Sequence, residues 1–339
     1  MDTLQYLKAC KVFSTVKQED DESGWLAARS RGVGGSDIGP ICGVSPFTSA
    51  RQIYLNKTGQ FTEAMAASAA ASERMHFGHM LEPIVADEYA RRELCEGGSH
   101  PDCHLVTTDA TLQSLENPWA LANVDRLIVD KDGVPQGILE CKTTSEYSND
   151  EWESGDILTT YIYQLNWYLY VTGLQWGAFA CLVGGNKFYT YEMERNDELI
   201  NTILLPHGKE FWENNVKKLI EPDVQATDTD FINSLYKDVV KSSEISFTDD
   251  GFNDLAKTVY ECKQKIKELE GVMEEAQNRI KDRMKDNEIA YCADYTIKWS
   301  PRVQKRVDSA LLKANYPKVY ADCLKTVEYR AMTIKAMNM

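Results

Sequence analysis

The sequence predicts a mixed α/β fold with a central sheet, followed by a helical extension. Two pairs of strand-like segments flank one Tyr-rich helical segment, and further helical segments precede the first pair. This order is typical of a mixed sheet with helices on its faces. The residue pattern changes to one long amphipathic helix at 253–288. We therefore divide the chain into a core, residues 1–222, and an extension, residues 223–339.

Composition narrows the class of protein. The chain has 339 residues, of which 43% are hydrophobic, enough for one large core. No window contains the roughly 20 apolar residues that cross a membrane, and the first residues lack a signal-peptide pattern. The nine cysteines are scattered without a CxxC pair, which favours a reducing compartment over a disulfide framework. We therefore expect a folded cytoplasmic protein with no membrane partner.

The helical segments before the sheet have recognisable ends. A short helix, SDIGPIC, is expected to begin at Ser36, and a longer one, SARQIYLNKTG, ends at Gly59. Residues 64–78 are an Ala-rich connector. Residues 77–94 then have a helical apolar period, and Pro83 marks a kink or a first turn within them.

The strand predictions rest on alternation and turn signals. The segments WALANVDRLIVD and VPQGILECKTT are joined by the turn-rich DKDG, which predicts an antiparallel hairpin. The helix ILTTYIYQLNWYLYVTG follows and ends at Gly173. A second pair of strands, WGAFACLVGG and KFYTYEMER, completes the predicted sheet.

The extension and the loop at 95–104 each have two interpretations. The 253–288 helix is favoured as a strut that packs on the body or on a partner helix. The net charge is −15, yet the chain from Lys298 onward is basic, so this segment either binds DNA or balances the acidic body. The loop CEGGSHPDCH fits no standard zinc finger, and a plain surface loop is favoured over a zinc site formed by Cys95, His100, Cys103 and His104.

One group of charged residues, on two neighbouring predicted strands, indicates a catalytic site. Alternation in a strand places Ile138, Glu140 and Lys142 on one face, so a carboxylate and an ammonium are presented together. Asp125 lies between apolar residues of the partner strand, where a charge is costly without a cation. The hairpin brings Asp125 near Glu140.

These oxygen ligands suit magnesium, or manganese in its place. Glu82, on the preceding helix, supplies a third carboxylate. Two metal ions held by this cluster would stabilise both oxygens of a phosphodiester displacement, with Lys142 positioning or activating the water. Taken alone, a D…ExK pattern is weak, because any charged strand can supply one, and a surface ion pair is the alternative.

The wider motif order is more specific. A GxxxE helix, an Asp in one strand, ECK in the next and a Tyr-rich helix with Gln164 resemble the PD-(D/E)XK restriction-endonuclease-like superfamily. Within it, the chain is most similar to the YqaJ-type phage recombination exonucleases, relatives of phage lambda exonuclease. The likeness is carried by WLAARSRGVGGSDIGPICGVSPF, FGHMLEP, NVDRL, ILECKTT and YIYQLNWYLYVTG. It extends more loosely over most of the chain.

This resemblance implies a nuclease that degrades one strand of duplex DNA from the 5′ end and leaves a 3′ single-stranded overhang. Asp125 and Glu140 would ligate two Mg²⁺ ions, with the main-chain carbonyl of Cys141 as a further ligand. Glu82 would complete the acidic cluster, and Lys142 would serve the nucleophilic water. Gln164 would help to hold the site or the water.

The resemblance also bears on GGSDIG, residues 34–39, which we call the Gly-rich turn. Its sequence fits either an ordinary helix cap or an anion site, and the two roles are compatible. In relatives this turn and an upstream arginine recognise the 5′-terminal phosphate, which assigns that role to Arg29 and Ser36. Asp37 would oppose a phosphate, so we expect it to face Arg29 or Arg31 or to cap the helix. Asn123 stands where some relatives use a phosphate-binding serine.

The implied partners are duplex DNA ends with a 5′ phosphate and a single-strand annealing protein. The implied assembly is a homo-oligomeric ring, with a trimer favoured. No iron–sulfur cluster is expected, because the cysteines lack the spacing. Two alternatives stay open: a structure- or site-specific endonuclease on the same core, and a non-catalytic protein that binds DNA ends.

Overall fold

The chain forms two compact units, Met1–Leu235 and Tyr236–Met339, in a computed structural model. The structure describes residues 3–17, 20–60, 69–236, 238, 240, 242–325 and 329–336. The boundary predicted after residue 222 lies inside the first unit, where Phe231 packs into the hydrophobic core. Among the described residues, no helix is long and apolar enough to cross a membrane.

The first unit contains a five-stranded mixed sheet with strand order β2-β5-β6-β7-β8. The strands β6 and β7 are parallel, and the other neighbours are antiparallel. The two predicted strand pairs are therefore confirmed, as β5–β6 and β7–β8. The strand predicted over residues 119–130 is divided, however, because Leu121–Ala122 belongs to a different sheet and Asp125 precedes β5. The strands of this sheet are β2 (Cys103–Val106), β5 (Arg126–Asp130), β6 (Pro135–Thr144), β7 (Trp176–Val183) and β8 (Lys187–Glu194).

A smaller antiparallel sheet of order β1-β3-β4 lies in the same unit. Its strands are β1 (Cys10–Ser14), β3 (Thr111–Ser114) and β4 (Leu121–Ala122). The segment before the Gly-rich turn is bonded to this sheet, because Val33 N donates to Trp119 O and Leu121 N donates to Val33 O, at 2.7 and 2.8 Å. The Gly-rich turn is thereby fixed to the chain that leads to Asp125.

Nine α-helices lie in the described part of the first unit. They are α1 (Glu22–Arg29), α2 (Gly35–Ile41), α3 (Ala50–Lys57), α4 (Ala69–Glu93), α5 (Asn149–Ser154), α6 (Thr159–Thr172), α7 (Asp197–Leu199), α8 (Leu205–Glu210) and α9 (Thr229–Leu235). π-Helical turns at Ile200–Leu204 and Phe211–Val216 flank α8, and short 3₁₀ turns lie at Thr3–Tyr6, Glu146–Ser148 and Ala226–Asp228.

Two helices cover opposite faces of the large sheet. Val85, Ala86 and Tyr89 of α4 pack in one apolar cluster with Ile128 and Leu139 of the sheet. In the second cluster, Leu165 and Leu169 of α6 pack with Ile138 and Phe179. Adjacent residues Ile138 and Leu139 thus belong to different clusters, as strand alternation requires. The predicted mixed α/β core with a central sheet between helices is confirmed.

Two helix boundaries differ from the prediction. The helix α4 begins at Ala69, so the described part of the Ala-rich connector is helical, in keeping with the high helix propensity of alanine. Residues 64–68 of that connector lie outside the described residues. The helix α2 begins at Gly35 rather than Ser36, with Gly34 as its N-cap.

The second unit contains the long helix, α10 (Asp250–Met284), whose N-cap Asp249 accepts a hydrogen bond from Phe252 N. The prediction of one long amphipathic helix is confirmed, although the helix begins and ends a few residues earlier than 253–288. A hairpin of β9 (Ile289–Tyr291) and β10 (Thr296–Lys298) follows. The helices α11 (Ser309–Asn315) and α12 (Pro317–Asp322) come next.

Candidate active site

Three acidic residues lie around one cavity of about 250 Å³, which we call the acidic cavity. Asp125 directly precedes β5, Glu140 lies in β6, and Glu82 lies in α4. The pairing of Arg126 with Leu139 sets the hairpin register that places Asp125 beside Glu140. The lining residues are Met75, Gly78, His79, Glu82, Asp125, Glu140, Cys141, Lys142 and Thr143.

Glu140 is the most buried of these carboxylates, with 2% of its surface exposed. Its Oε1 accepts hydrogen bonds from Lys142 Nζ at 2.7 Å and Gln164 Nε2 at 2.6 Å. Its Oε2 is buried without a hydrogen-bond partner. A buried carboxylate oxygen without a partner is costly, so this atom is suited to receive a ligand or an ion.

Asp125 is held by the strand that carries Glu140. Its Oδ2 accepts a hydrogen bond from the main-chain N of Cys141 at 2.8 Å. Burial raises the pKa of Asp125 well above its usual range, and the charges of Glu140 and Glu82 raise it further. Burial also raises the pKa of Glu140, against the opposing effect of Lys142. The negative charges of Asp125 and Glu140 are therefore unfavourable in the cavity, and a bound cation would stabilise them.

Lys142 is paired within the site. Burial lowers the pKa of its ammonium, but Glu140 and Asp125 outweigh that effect, so the pKa is raised. Its Nζ also donates to Gln164 Oε1 at 3.1 Å and lies 4.7 Å from the centre of the Tyr161 ring. Lys142 Nζ thus donates to both Glu140 and Gln164, a position that suits hydrogen bonding to a water.

Glu82 is turned towards a residue that the sequence analysis did not single out. Its Oε1 accepts a hydrogen bond from Arg126 Nη1 at 2.6 Å. The alternation of side chains along β5 does not indicate this contact. It shows only that Arg126 points to the other face of the sheet from Asp125 and Leu127. Among the described residues, no three His, Cys, Asp or Glu side chains form a metal-binding group in this conformation. Asp125 and Glu140 are the two carboxylates that remain for an ion.

The Gly-rich turn brings Arg29 and Ser36 together. Arg29 Nη2 donates to Ser36 Oγ at 2.8 Å, and its guanidinium lies 4.4 Å from the centre of the Trp25 ring. Ser36 is exposed while both glycines beside it are buried. Asn123 Nδ2 donates to Thr111 Oγ1 at 2.9 Å.

Asp37 faces neither Arg29 nor Arg31. Its Oδ2 lies 2.6 Å from Lys57 Nζ and accepts a hydrogen bond from Gly34 N at 2.8 Å. The predicted capping role is therefore present, and the expected arginine partner is wrong. The ion pair arises because α3 places Lys57 over the start of α2, a contact that local sequence does not reveal.

Tyr168 connects the Gly-rich turn to the acidic cavity. A Cβ on Gly35 would lie 2.3 Å from Tyr168 Cε1, so the ring packs directly on the turn. Gln164 Nε2 donates to Tyr168 OH at 3.1 Å as well as to Glu140. The sequence analysis missed this role of Tyr168, although its position four residues after Gln164 places both on one helix face.

The predicted zinc candidates have other surroundings. His100 Nε2 lies 2.8 Å from Glu192 Oε1, and the His100 ring stacks on Trp176 with ring centres 4.4 Å apart. Cys103 is the first residue of β2, and its main-chain N donates to His100 O. The structure thus gives His100 a partner in β8, the edge strand opposite β2 in the sheet order.

Comparison with known proteins identifies relatives over most of the chain. The model of the YqaJ-like viral recombinase domain matches residues 24–175. The uncharacterized protein YqaJ of Bacillus subtilis (strain 168) is 35% identical over 318 residues, which cover 93% of this chain and 94% of the relative.

Similar solved structures were also found. The alkaline exonuclease LHK-Exo from Laribacter hongkongensis aligns with a TM-score of 0.45 and 19% identity, over 58% of this chain and 94% of that chain. A phage related exonuclease from Haemophilus somnus 129PT aligns with a TM-score of 0.39 and 12% identity, over 56% of this chain and 96% of that chain.

Proposed function

Because this chain belongs to the YqaJ-like viral recombinase family, we propose that it is a metal-dependent 5′-to-3′ exonuclease. It would degrade one strand of duplex DNA and leave 3′ single-stranded overhangs for phage-type homologous recombination. The observation that carries the proposal is the acidic cavity, where Asp125 and Glu140 lie beside the ammonium of Lys142. This set of groups fits phosphodiester hydrolysis.

The proposed metal ligands are Asp125, Glu140 and the main-chain carbonyl of Cys141. The unpartnered Oε2 of Glu140 and the raised pKa of Asp125 both fit a divalent cation. Hard carboxylate oxygens favour Mg²⁺, two per site, and Mn²⁺ can substitute. When bound, these ions would polarise the phosphate and lower the pKa of the attacking water.

The other residues of the cavity act as positioning groups. The ammonium of Lys142, which donates to Glu140 and Gln164, would hold the attacking water and the negative phosphate oxygens by hydrogen bonds. Gln164 keeps Glu140 and Lys142 in fixed positions, since its amide bonds to both. Glu82 would complete the acidic cluster, and Arg126 balances its charge.

Selection of the DNA end is proposed for Arg29 and Ser36, with Asn123 as a further contact to DNA. The guanidinium of Arg29 already lies at the exposed hydroxyl of Ser36, and a planar guanidinium can bind a phosphate through two hydrogen bonds. The preferred substrate is therefore a duplex end with a 5′ phosphate.

The assembly and the partner protein are proposed from the family resemblance alone. A homo-oligomeric ring, with a trimer favoured, would enclose the duplex. In such a ring only the channel needs to be basic, which reconciles a net charge of −15 with DNA binding. A single-strand annealing protein would receive the 3′ overhang.

The test is nucleotide release from linear duplexes that differ only in a 5′ phosphate or a 5′ hydroxyl, with Mg²⁺ and then with EDTA. We expect rapid loss of the phosphorylated strand in Mg²⁺ and no release in EDTA. Equal attack on both ends, or cleavage of closed circular DNA, would instead indicate an endonuclease. Binding of ends without any cleavage would indicate a non-catalytic end-binding protein.

A further inference from the structure

An aromatic stack leads from the core of the first unit to its surface beside the acidic cavity. The centre of the Tyr161 ring lies 6.5 Å from that of Trp152 and 6.3 Å from that of Phe47. Trp152 is 4% exposed, whereas Phe47 is 63% exposed, and all three residues belong to the first unit. The first unit therefore leaves most of the Phe47 side chain uncovered, and this ring is the outer end of the stack.

The loop that carries Phe47 is fixed between α2 and α3. The buried hydroxyl of Ser45 accepts a hydrogen bond from the main-chain N of Phe47 at 3.2 Å. On one side of the loop, α2 packs closely on α6, where a Cβ on Gly39 would lie 2.1 Å from Thr160 Oγ1. On the other side, Ser49 is the N-cap of α3. The position of the loop is therefore set before any ligand binds, which keeps the entropic cost of binding low.

Tyr161 connects this ring to the proposed catalytic groups. The planes of Phe47 and Tyr161 are inclined by 24°, so the two rings are nearly parallel. Lys142 Nζ lies 4.7 Å from the centre of the Tyr161 ring. Tyr161 thus contacts both Phe47 and the ammonium that is proposed to hold the reacting phosphate. A strand whose phosphate is held by Lys142 would bring one of its bases near Phe47.

The uncovered side of the Phe47 ring fits a nucleobase. Among the described residues, no other aromatic ring and no cation lies on Phe47. Aromatic side chains beside a nucleic-acid strand stack on its bases, and such contacts tolerate any sequence because every base has a π-face. Building on the proposed function, on which this inference rests, we propose that Phe47 stacks on a base of the DNA strand held in the acidic cavity. The enzyme would thereby hold a base without selecting a sequence.

The first experiment removes the ring and the base separately and together. Duplexes carry a 5′ phosphate, and the first few nucleotides of the 5′ strand are mismatched, so that an abasic site placed among them removes no base pair. Affinity for these ends is measured with Ca²⁺ in place of Mg²⁺. Loss of a stacked base should weaken wild-type binding roughly 5- to 100-fold at one abasic position.

F47A should bind the duplex that contains all its bases with a similar loss, and the abasic site should then weaken its binding no further. This lack of additivity is the expected sign of direct contact between the ring and the base. A full abasic penalty in F47A at every position would overturn the stacking.

The second experiment tests whether an aromatic ring is required. F47W and F47Y keep a ring and should bind the mismatched ends as the wild type does, whereas F47L keeps only an apolar side chain and should bind as weakly as F47A. F13A removes an exposed phenylalanine of β1 and is the matched control, which should keep the full abasic penalty. Wild-type affinity in F47L, or an equal loss in F13A and F47A, would overturn the proposal.

These results are separable from those that test the exonuclease, because the binding assay needs no cleavage. Nucleotide release in Mg²⁺ with additive effects of F47A and the abasic site would overturn the stacking and leave the exonuclease. Non-additive effects without nucleotide release would support the stacking and overturn the exonuclease. A wild-type protein that binds no DNA ends would overturn both.

Discussion

The acidic cavity and the Gly-rich turn are built in opposite ways. In the cavity the charged side chains are buried and bonded to one another, with Glu140 held by both Lys142 and Gln164. In the turn the main chain is buried, while Ser36 extends towards solvent beside Arg29. The buried carboxylates of the cavity therefore carry an unfavourable negative charge that a bound cation would stabilise. In the turn, the hydrogen-bond donors of Ser36 and Arg29 are accessible to an anion.

Under the proposed function, this difference would separate the reaction from the recognition of the DNA end. A change in the cavity alters groups proposed to act on the reacting phosphate, whereas a change in the turn alters only how the DNA end is held. Tyr168 is the contact between the two regions, since it packs on Gly35 and bonds to Gln164. Substitutions that leave Tyr168 in place should therefore affect one region without the other.

The largest effect is expected from E140Q. The substitution keeps the shape and the Oε1 acceptor but removes a metal-binding charge, which contributes several kcal/mol to the transition state. We expect nucleotide release to fall on the order of 10³-fold, with binding of 5′-phosphorylated ends retained. Rate assays and gel shifts measure the two quantities. E146Q, which alters an exposed glutamate beyond β6, is the control, and equal loss in both variants would contradict the assignment.

R29A should affect recognition and spare the reaction. A hydrogen bond to a charged group contributes about 1.5–3 kcal/mol, so release from 5′-phosphorylated duplex should slow by about 10- to 100-fold. Release from the 5′-hydroxyl duplex should barely change. R31A removes the same charge two residues away, from an exposed side chain, and should keep the preference for phosphate. A preference that survives in R29A would remove Arg29 from the phosphate site.

G35A should disturb both regions, because the new Cβ would lie 2.3 Å from the Tyr168 ring. Overpacking of this kind costs about 1–3 kcal/mol of folding free energy. We expect a lower Tm and slower release from both kinds of duplex end. At Gly34 the nearest atom, Asp37 Oδ2, would be 3.4 Å away, so G34A is the matched control. Equal Tm losses in the two variants would contradict the close packing of Tyr168.

D125N tests whether the buried charge of Asp125 destabilises the fold until a cation binds. Burial and two neighbouring carboxylates raise the pKa of Asp125, so its charged form opposes folding at neutral pH. In EDTA we expect D125N to be more stable than the wild type by about 1 kcal/mol. Mg²⁺ should raise the Tm of the wild type but not of D125N. Thermal unfolding measures both, and an identical Mg²⁺ shift in the variant would exclude Asp125 as a ligand.

The parts of the site that sequence could predict depend on short-range patterns. Alternation in β6 predicted that Glu140 and Lys142 share a face, and the DKDG turn predicted the register that brings Asp125 near them. The partners that were missed depend on packing between distant elements. Lys57 reaches Asp37 from α3, and Arg126 reaches Glu82 on α4. No local period encodes which of several cations will meet a given carboxylate.

Local patterns also predicted most elements of the fold, but not where two of the helices begin. Turn signals and apolar periods predicted the two strand pairs, the Tyr-rich helix and α10. The start of α4 was misjudged, because a run of alanines carries no amphipathic period even though alanine is the strongest helix former. The helix α2 begins one residue before the predicted Ser36, because Gly34 is its N-cap and Gly34 N donates to the side chain of Asp37.

The bonds that join Val33 to Trp119 and Leu121, together with the seat of Tyr168 on Gly35, have a consequence for product size. They join the turn that is proposed to bind the terminal phosphate to the elements that carry the carboxylates, so the two proposed sites would keep a fixed separation. Two anchors at a fixed separation act as a ruler along the strand. Under the proposed function, cleavage would therefore occur at one set distance from each new terminus, and the released fragments would have a uniform length.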